Sequence, residues 1–441
     1  MLSRSINQLD ATALVVGIII GASIFVQPSV ITGAVPTVSG VYAVWLVSGV
    51  LTLFGALIAA ELASAYPHAG GVYVFLKESF SPALGFLWGW AMFWTMHTGI
   101  IAVIASVFAR YATFFFPTGD FGARAIAVAA VVALTAVNYV GVKQGSVVQT
   151  TFTLLKVAAI VLIIGVAFGL GPRIPVGQTV ASGGTPALTF SSFPPAIVAG
   201  LFAFGGWHMV TYAAEETRAP ERTIPRALVA GVLLVTACYV ALNAAYFHVL
   251  SPDRIAGSSR VAADAADSVL GRGGAALMSG IVAVSTFGAL NGVILSGPRA
   301  YLAMARDGLL ASWAAAIHPR FHTPHRAILL QGIWAVILVS TGTYRALFTR
   351  VVYTEWIFFA LMAAGLFRLR ARGNYQPAYR VWGFPAVPIV FILASGFIVA
   401  HQLVTDAANA WTGLLFVAAG LPVYFVFFRK SFLSRTPQDA D

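Results

Sequence analysis

Charge is scarce in this chain. Asp, Glu, Lys and Arg make up 9% of its 441 residues, while 59% are hydrophobic. Too few charged residues are present to coat a soluble domain of that length, which excludes a water-soluble fold. Cysteine is scarcer still, with Cys238 the only one. That excludes an intramolecular disulfide and a cysteine-based metal site, and leaves Cys238 as a small buried hydrophobe. Catalytic signatures are missing too: there is no HExxH, no GxSxG and no phosphate-binding P-loop. His318, His322 and His325 share one loop with no cysteine or carboxylate nearby and read as solvated. No enzyme activity, metal or cofactor is expected.

What is abundant is long apolar runs, near 20 residues each, from end to end. They predict an all-α polytopic membrane protein with twelve transmembrane helices, at roughly 11–33, 39–65, 82–114, 123–141, 147–170, 192–214, 226–250, 274–304, 327–343, 347–368, 385–404 and 410–428. The first run is too long for a signal-peptide core and lacks a small-residue cleavage site, so it reads as a retained span. Residues 171–191, rich in Gly, Ser, Thr and Pro, read as a polar loop.

The formal net charge of +11 does not point to nucleic acid, because its distribution follows the spans. With the N-terminus in the cytoplasm, Arg110, Arg124, Arg173, Arg254, Arg260, Arg272, Arg345 and Arg350 fall outside and Lys156 inside a span; the other 17 of the 26 lysines and arginines face the cytoplasm. This is the positive-inside pattern, with both termini cytoplasmic. Basic stretches such as Arg368-Leu369-Arg370-Ala371-Arg372 suit anionic inner-leaflet lipid.

Two spans are interrupted. Val15 to Phe25 reads VVGIIIGASIF, and Phe202 to Trp207 reads FAFGGW. A break in a bilayer helix frees backbone groups that only a protein cavity can tolerate. Here the breaks fall in the first and sixth spans, which implies two five-helix repeats of opposite topology, 1–170 and 192–370, joined by the extracellular loop 171–191. Helices 11 and 12 (371–429) and a cytoplasmic tail (430–441) follow. A break in corresponding places of two halves points to a transporter's binding site; the alternative is that such glycines serve only close helix packing.

The breaks supply complementary chemistry. Free N–H groups at Gly21-Ala22-Ser23, at the start of a half-helix, suit a carboxylate. Carbonyls around Phe202, Ala203 and Gly205 lose their helical donors and can accept from an ammonium group. Together they describe a zwitterion, the commonest being an α-amino acid. Lys156, deep in the fifth span, costs roughly 2.5–3.5 kcal/mol unless it faces a polar interior, and reads as a fixed or titratable coupling charge, or else as a snorkelling lysine. Glu355 lies at similar depth in the tenth span, as a second pathway charge or a structural hydrogen-bonding group. His208 either lines the pocket or satisfies unwound backbone. Phe202, Phe204 and Trp207 offer a lid for the substrate or simple packing. Glu61 is expected to cap or pair at the interface, and the mixed-sign stretch 215–226 to form ion pairs or a solvated loop.

These motifs resemble the amino acid–polyamine–organocation superfamily, and within it bacterial members like the L-type amino acid transporters. Gly21-Ala22-Ser23-Ile24-Phe25 resembles G-S/A-G-I-F, and Phe202-Ala203-Phe204-Gly205-Gly206-Trp207 resembles F-A-Y-G-G-W. Glu61 to Tyr73, Glu215 to Ala227 and Pro298 to Gly308 resemble three further stretches in the family's order. The resemblance implies a LeuT-like 5+5 inverted-repeat fold with two extra helices, working by alternating access. It implies that Ala22, Ser23 and Ile24 N–H groups bind the carboxylate, that carbonyls of Ile19, Phe202, Ala203 and Gly205 bind the ammonium, and that Phe202 is a gate. It sets Lys156 near the sodium position of sodium-coupled relatives, which argues against sodium coupling. No external cysteine is present for the glycoprotein subunit of eukaryotic relatives, so no disulfide-linked subunit is expected. Ser23 stands where the family has its second glycine, in a place to affect selectivity. The expected function is sodium-independent amino acid transport across the cytoplasmic membrane, as an exchanger or proton symporter. A polyamine or other organic amine carrier, and a non-transporting membrane sensor, are the alternatives; the first would want more pocket carboxylates, the second a soluble output domain.

Overall fold

The computed structural model describes residues 2–21, 23–171, 192–258, 260–342, 352–429 and 432. Ala22, the loop 172–191, the start of the tenth expected span and nearly all of the tail lie outside these. Among the described residues the chain is helical, with one isolated β-bridge between Ile6 and Thr217.

The helices run α1 (Gln8–Ile19), α2 (Ser23–Ala34), α3 (Val38–Ala65), α4 (Val72–Ser79), α5 (Pro82–Ala91), α6 (His97–Ala112), α7 (Asp120–Val140), α8 (Val142–Leu170), α9 (Phe193–Ala203), α10 (Pro220–Val249), α11 (Pro252–Ala256), α12 (Val261–Leu270), α13 (Gly274–Ser296), α14 (Pro298–Arg306), α15 (His325–Thr341), α16 (Thr354–Arg370), α17 (Ala386–Thr405), α18 (Ala407–Ala418) and α19 (Gly420–Val423). A single π-helical stretch, Met92–Met96, joins α5 to α6 as one span. Nine described helical segments are long and apolar enough to cross a bilayer, or ten if α1 and α2, bent by 45°, form one broken span. Helical residues fall in each of the twelve expected segments, but α15 and α16 have only 17 residues each. The tenth was expected to start at 347. Residues 343–351 lie outside the described residues; the described helix starts at Thr354, with Glu355 in its first turn.

Burial sorts the helices into an inner group and a lipid-facing rim. The second interrupted segment, Phe193–Glu216, is 72% buried, whereas Ala407–Phe428 is 22% buried. α8 belongs to the rim by this measure, with Leu154, Leu155, Val161 and Leu162 all more than half exposed. Its other face is polar and turned inward. Thr150 donates to the Asp10 carboxylate at 2.8 Å, Thr153 to the Ala13 carbonyl at 3.0 Å, and Lys156 to carbonyls of Gly17 and Ile20. These residues recur at helical spacing on both partners, so the two helices are laced along their length. Gly17 permits the approach: a Cβ there would lie 2.2 Å from the Thr153 hydroxyl. α1 starts with a capping box, in which Asn7 and Asp10 each accept from the other's backbone N–H.

Candidate functional site

The first break begins where Ile20 leaves helical geometry (φ −75°, ψ 76°). Gly21 turns back to the Ile19 carbonyl at 2.8 Å, and α2 restarts at Ser23. The first N–H groups of α2 therefore have no intrahelical partner. At the second break, Phe204 and Gly205 N–H groups fold back to Leu201 and Phe202 carbonyls, each at 3.1 Å. Gly206 then takes φ +88°, which disfavours any residue with a Cβ. A Cβ there would also come within 2.4 Å of Ile18 Cγ2, so the glycine is what lets the two breaks lie against each other. Beyond it the chain continues as a 3₁₀ helix, Trp207–Glu216, and not as a second α-helical half.

Between the breaks lies a cavity of about 220 Å³. Ile19, Gly21, Ser23, Phe202, Ala203, Gly205 and Glu355 line it, with His97 from α6 and Gln402 from α17. Ile24 is fully buried beside it but does not form its wall. His208 also lies behind the wall. Its ring meets Trp88, Trp207, Tyr212 and Phe359, and its Nε2 is 3.7 Å from a Glu355 oxygen. Its adjacency to Trp207 suggested a lining residue, but the 3₁₀ turn after Gly206 swings it away from the opening. Ala22 falls outside the described residues. Phe202 is 37% exposed, against 0% for Phe204 and 2% for Trp207, so of the three aromatics it is the least buried.

Lys156 is 1% exposed and donates to three backbone carbonyls: Gly17 at 2.8 Å, Ile20 at 2.7 Å and Ser285 at 2.9 Å. An ammonium has three donors, and all three are used. Snorkelling is ruled out by this geometry, since the head group points inward at the first break. The Ser285 hydroxyl adds a bond to the Ile20 carbonyl at 3.2 Å.

Sequence reasoning missed Tyr239. Its hydroxyl lies 3.0 Å from the Ile19 carbonyl and 3.0 Å from that of Ala203. These are two of the four carbonyls expected to face the substrate's ammonium, so each already has a partner. One hydroxyl proton serves one acceptor at a time, which leaves the other carbonyl open to a second donor. A tyrosine inside an apolar span carries no local signal of such a role. His97 was also missed; it bonds the Val293 carbonyl through Nε2 at 2.8 Å and shows its ring to the cavity.

Ion pairs gather where α3, α4, α14, α16 and the 3₁₀ helix come together. Arg299 grips buried Glu216 at 2.7 and 3.1 Å, Arg306 grips Glu215 at 2.8 Å, and Lys77 reaches Asp307 at 2.8 Å. Glu61, fully buried, takes a two-point contact from Arg370 and the Val381 N–H at 2.6 Å. The mixed-sign stretch is thus a docked segment, tied also to the N-terminus through Ile6, which exchanges bonds with Glu216 and Arg218 at 2.9 Å. His318 was expected to be solvated. It is instead half-buried, stacks on Phe321 and accepts the N–H groups of Arg320 and Phe321 through Nδ1, because its loop folds back on Tyr139. No group of three His, Cys, Asp or Glu among the described residues could hold a metal ion.

A model of the amino acid permease family matches residues 6–428. The serine/threonine exchanger SteT of Bacillus subtilis is 35% identical over 433 residues, covering 96% of this chain and 97% of that protein. The mouse b(0,+)-type amino acid transporter 1 is 31% identical over 436 residues, covering 97% and 88%. The human cystine/glutamate transporter is 30% identical over 433 residues, covering 97% and 85%. The family and these relatives are transporters, not enzymes. The chain is a multi-pass membrane protein and belongs to the amino acid permease family of the amino acid–polyamine–organocation superfamily.

Proposed function

We propose that this protein is a sodium-independent amino acid exchanger of the cytoplasmic membrane, working by alternating access about the two broken helices. The observation that carries the reading is the pairing of the breaks across one cavity: the first N–H groups of α2 on one side, the non-helical carbonyls of the second break on the other, with one Tyr239 hydroxyl shared between the Ile19 and Ala203 carbonyls. That arrangement binds both ends of a zwitterion. Three carbonyls that could coordinate a cation beside the first break are occupied by Lys156, which supports sodium independence. The bacterial relative is an exchanger, and the Lys156 amine, seated on three carbonyls, fits a carrier that needs no coupling ion to complete its site.

The remaining parts of the reading follow the same frame. Spans 1–5 and 6–10 form inverted repeats, spans 11 and 12 are appended, and both termini are cytoplasmic. The N–H groups of Ala22 and Ser23 hold the carboxylate, Phe202 gates, and Lys156 couples substrate occupancy to the first half-helix. The sole cysteine, Cys238, is buried in α10, so the chain works without a disulfide-linked subunit.

The test is uptake of labelled amino acids into proteoliposomes of the purified protein, with and without internal substrate, sodium and a proton gradient. Exchange predicts uptake only with internal amino acid, independent of both gradients. Uptake into empty vesicles driven by a proton gradient would make it a symporter, and uptake of amines without a carboxylate would favour the polyamine alternative.

A further inference from the structure

The zwitterion site uses backbone groups, which every amino acid satisfies alike, so side-chain selection has to come from the rest of the cavity wall. That wall is apolar and aromatic apart from a few groups: Ser23, His97, Tyr353, Gln402 and Glu355. Glu355 carries the sole carboxyl group among the described lining residues. Its side chain is 17% exposed, toward the cavity.

Four other buried or half-buried carboxylates each have a cation: Glu61 has Arg370, Glu216 has Arg299, Glu215 has Arg306 and Asp307 has Lys77. Among the described residues Glu355 has no lysine or arginine partner. The nearest group able to carry charge is His208, at 3.7 Å, beyond hydrogen-bonding distance, and neither ring nitrogen of His208 has a hydrogen-bond partner. His97 and Tyr353 are the other titratable groups of this wall; His97 bonds the Val293 carbonyl and Tyr353 donates to the Ala410 carbonyl, while Tyr212, behind the wall, packs on His208. Lys156 is fully used by backbone carbonyls. A carboxylate in a low-dielectric wall without a counter-charge is costly, and such residues mark the place where a partner arrives.

We propose that Glu355 is the side-chain selector of this transporter: it receives the distal ammonium or guanidinium of a cationic amino acid whose α-carboxylate and α-ammonium sit on the two helix breaks. The proposal rests on the zwitterion reading of those breaks and names the substrate class for it. A positive side chain gains a charge-assisted bond that a neutral isostere cannot make, while leaving Glu355 unpaired penalises neutral substrates long enough to bury it.

Arginine and citrulline decide the matter, being nearly equal in shape and different in charge. In proteoliposome exchange against internal serine, the wild-type protein should take up arginine with a kcat/KM about tenfold or more above that for citrulline, the gap expected when one buried partner is left unmatched. In Glu355→Gln the preference should vanish or invert, with serine exchange retained. In Glu355→Asp, which keeps the charge, the preference should survive in reduced form. Equal wild-type uptake of arginine and citrulline overturns the proposal, and so does an equal fall for both substrates and for serine in a folded Glu355→Gln protein, which would make Glu355 a coupling group instead. Should Glu355→Gln fail to fold, the wild-type ratio and the Glu355→Asp protein still decide. Agmatine, arginine without its carboxylate, tests the underlying reading separately: agmatine uptake matching arginine, with no serine exchange, would remove the zwitterion site while leaving Glu355 as a cation binder.

Discussion

Two regions of this protein handle charge in opposite ways. At the motif-rich end of the bundle, Glu61, Glu215, Glu216 and Asp307 each rest on an arginine or lysine, often with a backbone donor added. At the centre, Lys156 faces only carbonyls and Glu355 faces a cavity. Where charges hold helices together, partners are built in. Where they meet a passing molecule, part of the complement is left to be brought. In this chain the pairing state of a buried charge is a better guide to its role than its burial, since Arg299 and Lys156 are equally buried, at 1% exposure.

The contrast breaks most severely at the paired end. Arg299→Ala strands the fully buried Glu216 carboxylate and should destabilise the protein by about 3–5 kcal/mol, seen as a large fall in melting temperature or in folded yield in detergent; replacing both residues with methionine should recover much of it. Lys156→Ala should be milder for folding and worse for function. It strips one donor from each of the Gly17, Ile20 and Ser285 carbonyls but strands no charge, and the Ile20 carbonyl keeps the Ser285 hydroxyl, so exchange should fall to background while a folded, monodisperse protein remains. Full exchange in that variant would reduce Lys156 to a packing residue.

Smaller changes sharpen the comparison. Gly206→Ala forces a Cβ into a left-handed position against Ile18, a strain of about 1–2 kcal/mol, so substrate affinity should drop by roughly tenfold, measured as the shift in half-saturation for exchange. Tyr239→Phe removes one hydroxyl shared between the breaks and should cost about 1 kcal/mol, near a fivefold change in half-saturation with little effect on melting. Asp307→Asn touches a half-exposed pair and should shift stability by less than about 1 kcal/mol.

Much of this was legible in the sequence, for reasons that also mark where legibility stops. Gly21 and the Gly205-Gly206 pair announce breaks because glycine in an apolar run is a local anomaly. Lys156 stands out because a charge at bilayer depth needs a partner, although the sequence could not say that the partners are carbonyls of the first span. Tyr239 stayed hidden because a tyrosine among apolar residues looks like packing, and its role exists only when α10 is laid across both breaks. His208 was placed in the pocket by adjacency to Trp207, and a 3₁₀ turn, which sequence periodicity does not reveal, moved it behind the wall. Glu355 stood out by its depth in an apolar run, but that it shares a cavity wall with both breaks is a matter of how α16 packs, which the sequence does not state.

The lacing of α1 onto α8 fixes what can move. Asp10, Ala13, Gly17 and Ile20 are fastened in sequence to Thr150, Thr153 and Lys156, so tilting the first half-helix alone would tear every fastening at once. Any movement of the first half-helix that keeps these bonds has to carry α8 with it, so the moving unit is two helices thick, with the exposed apolar face of α8 as its outer side.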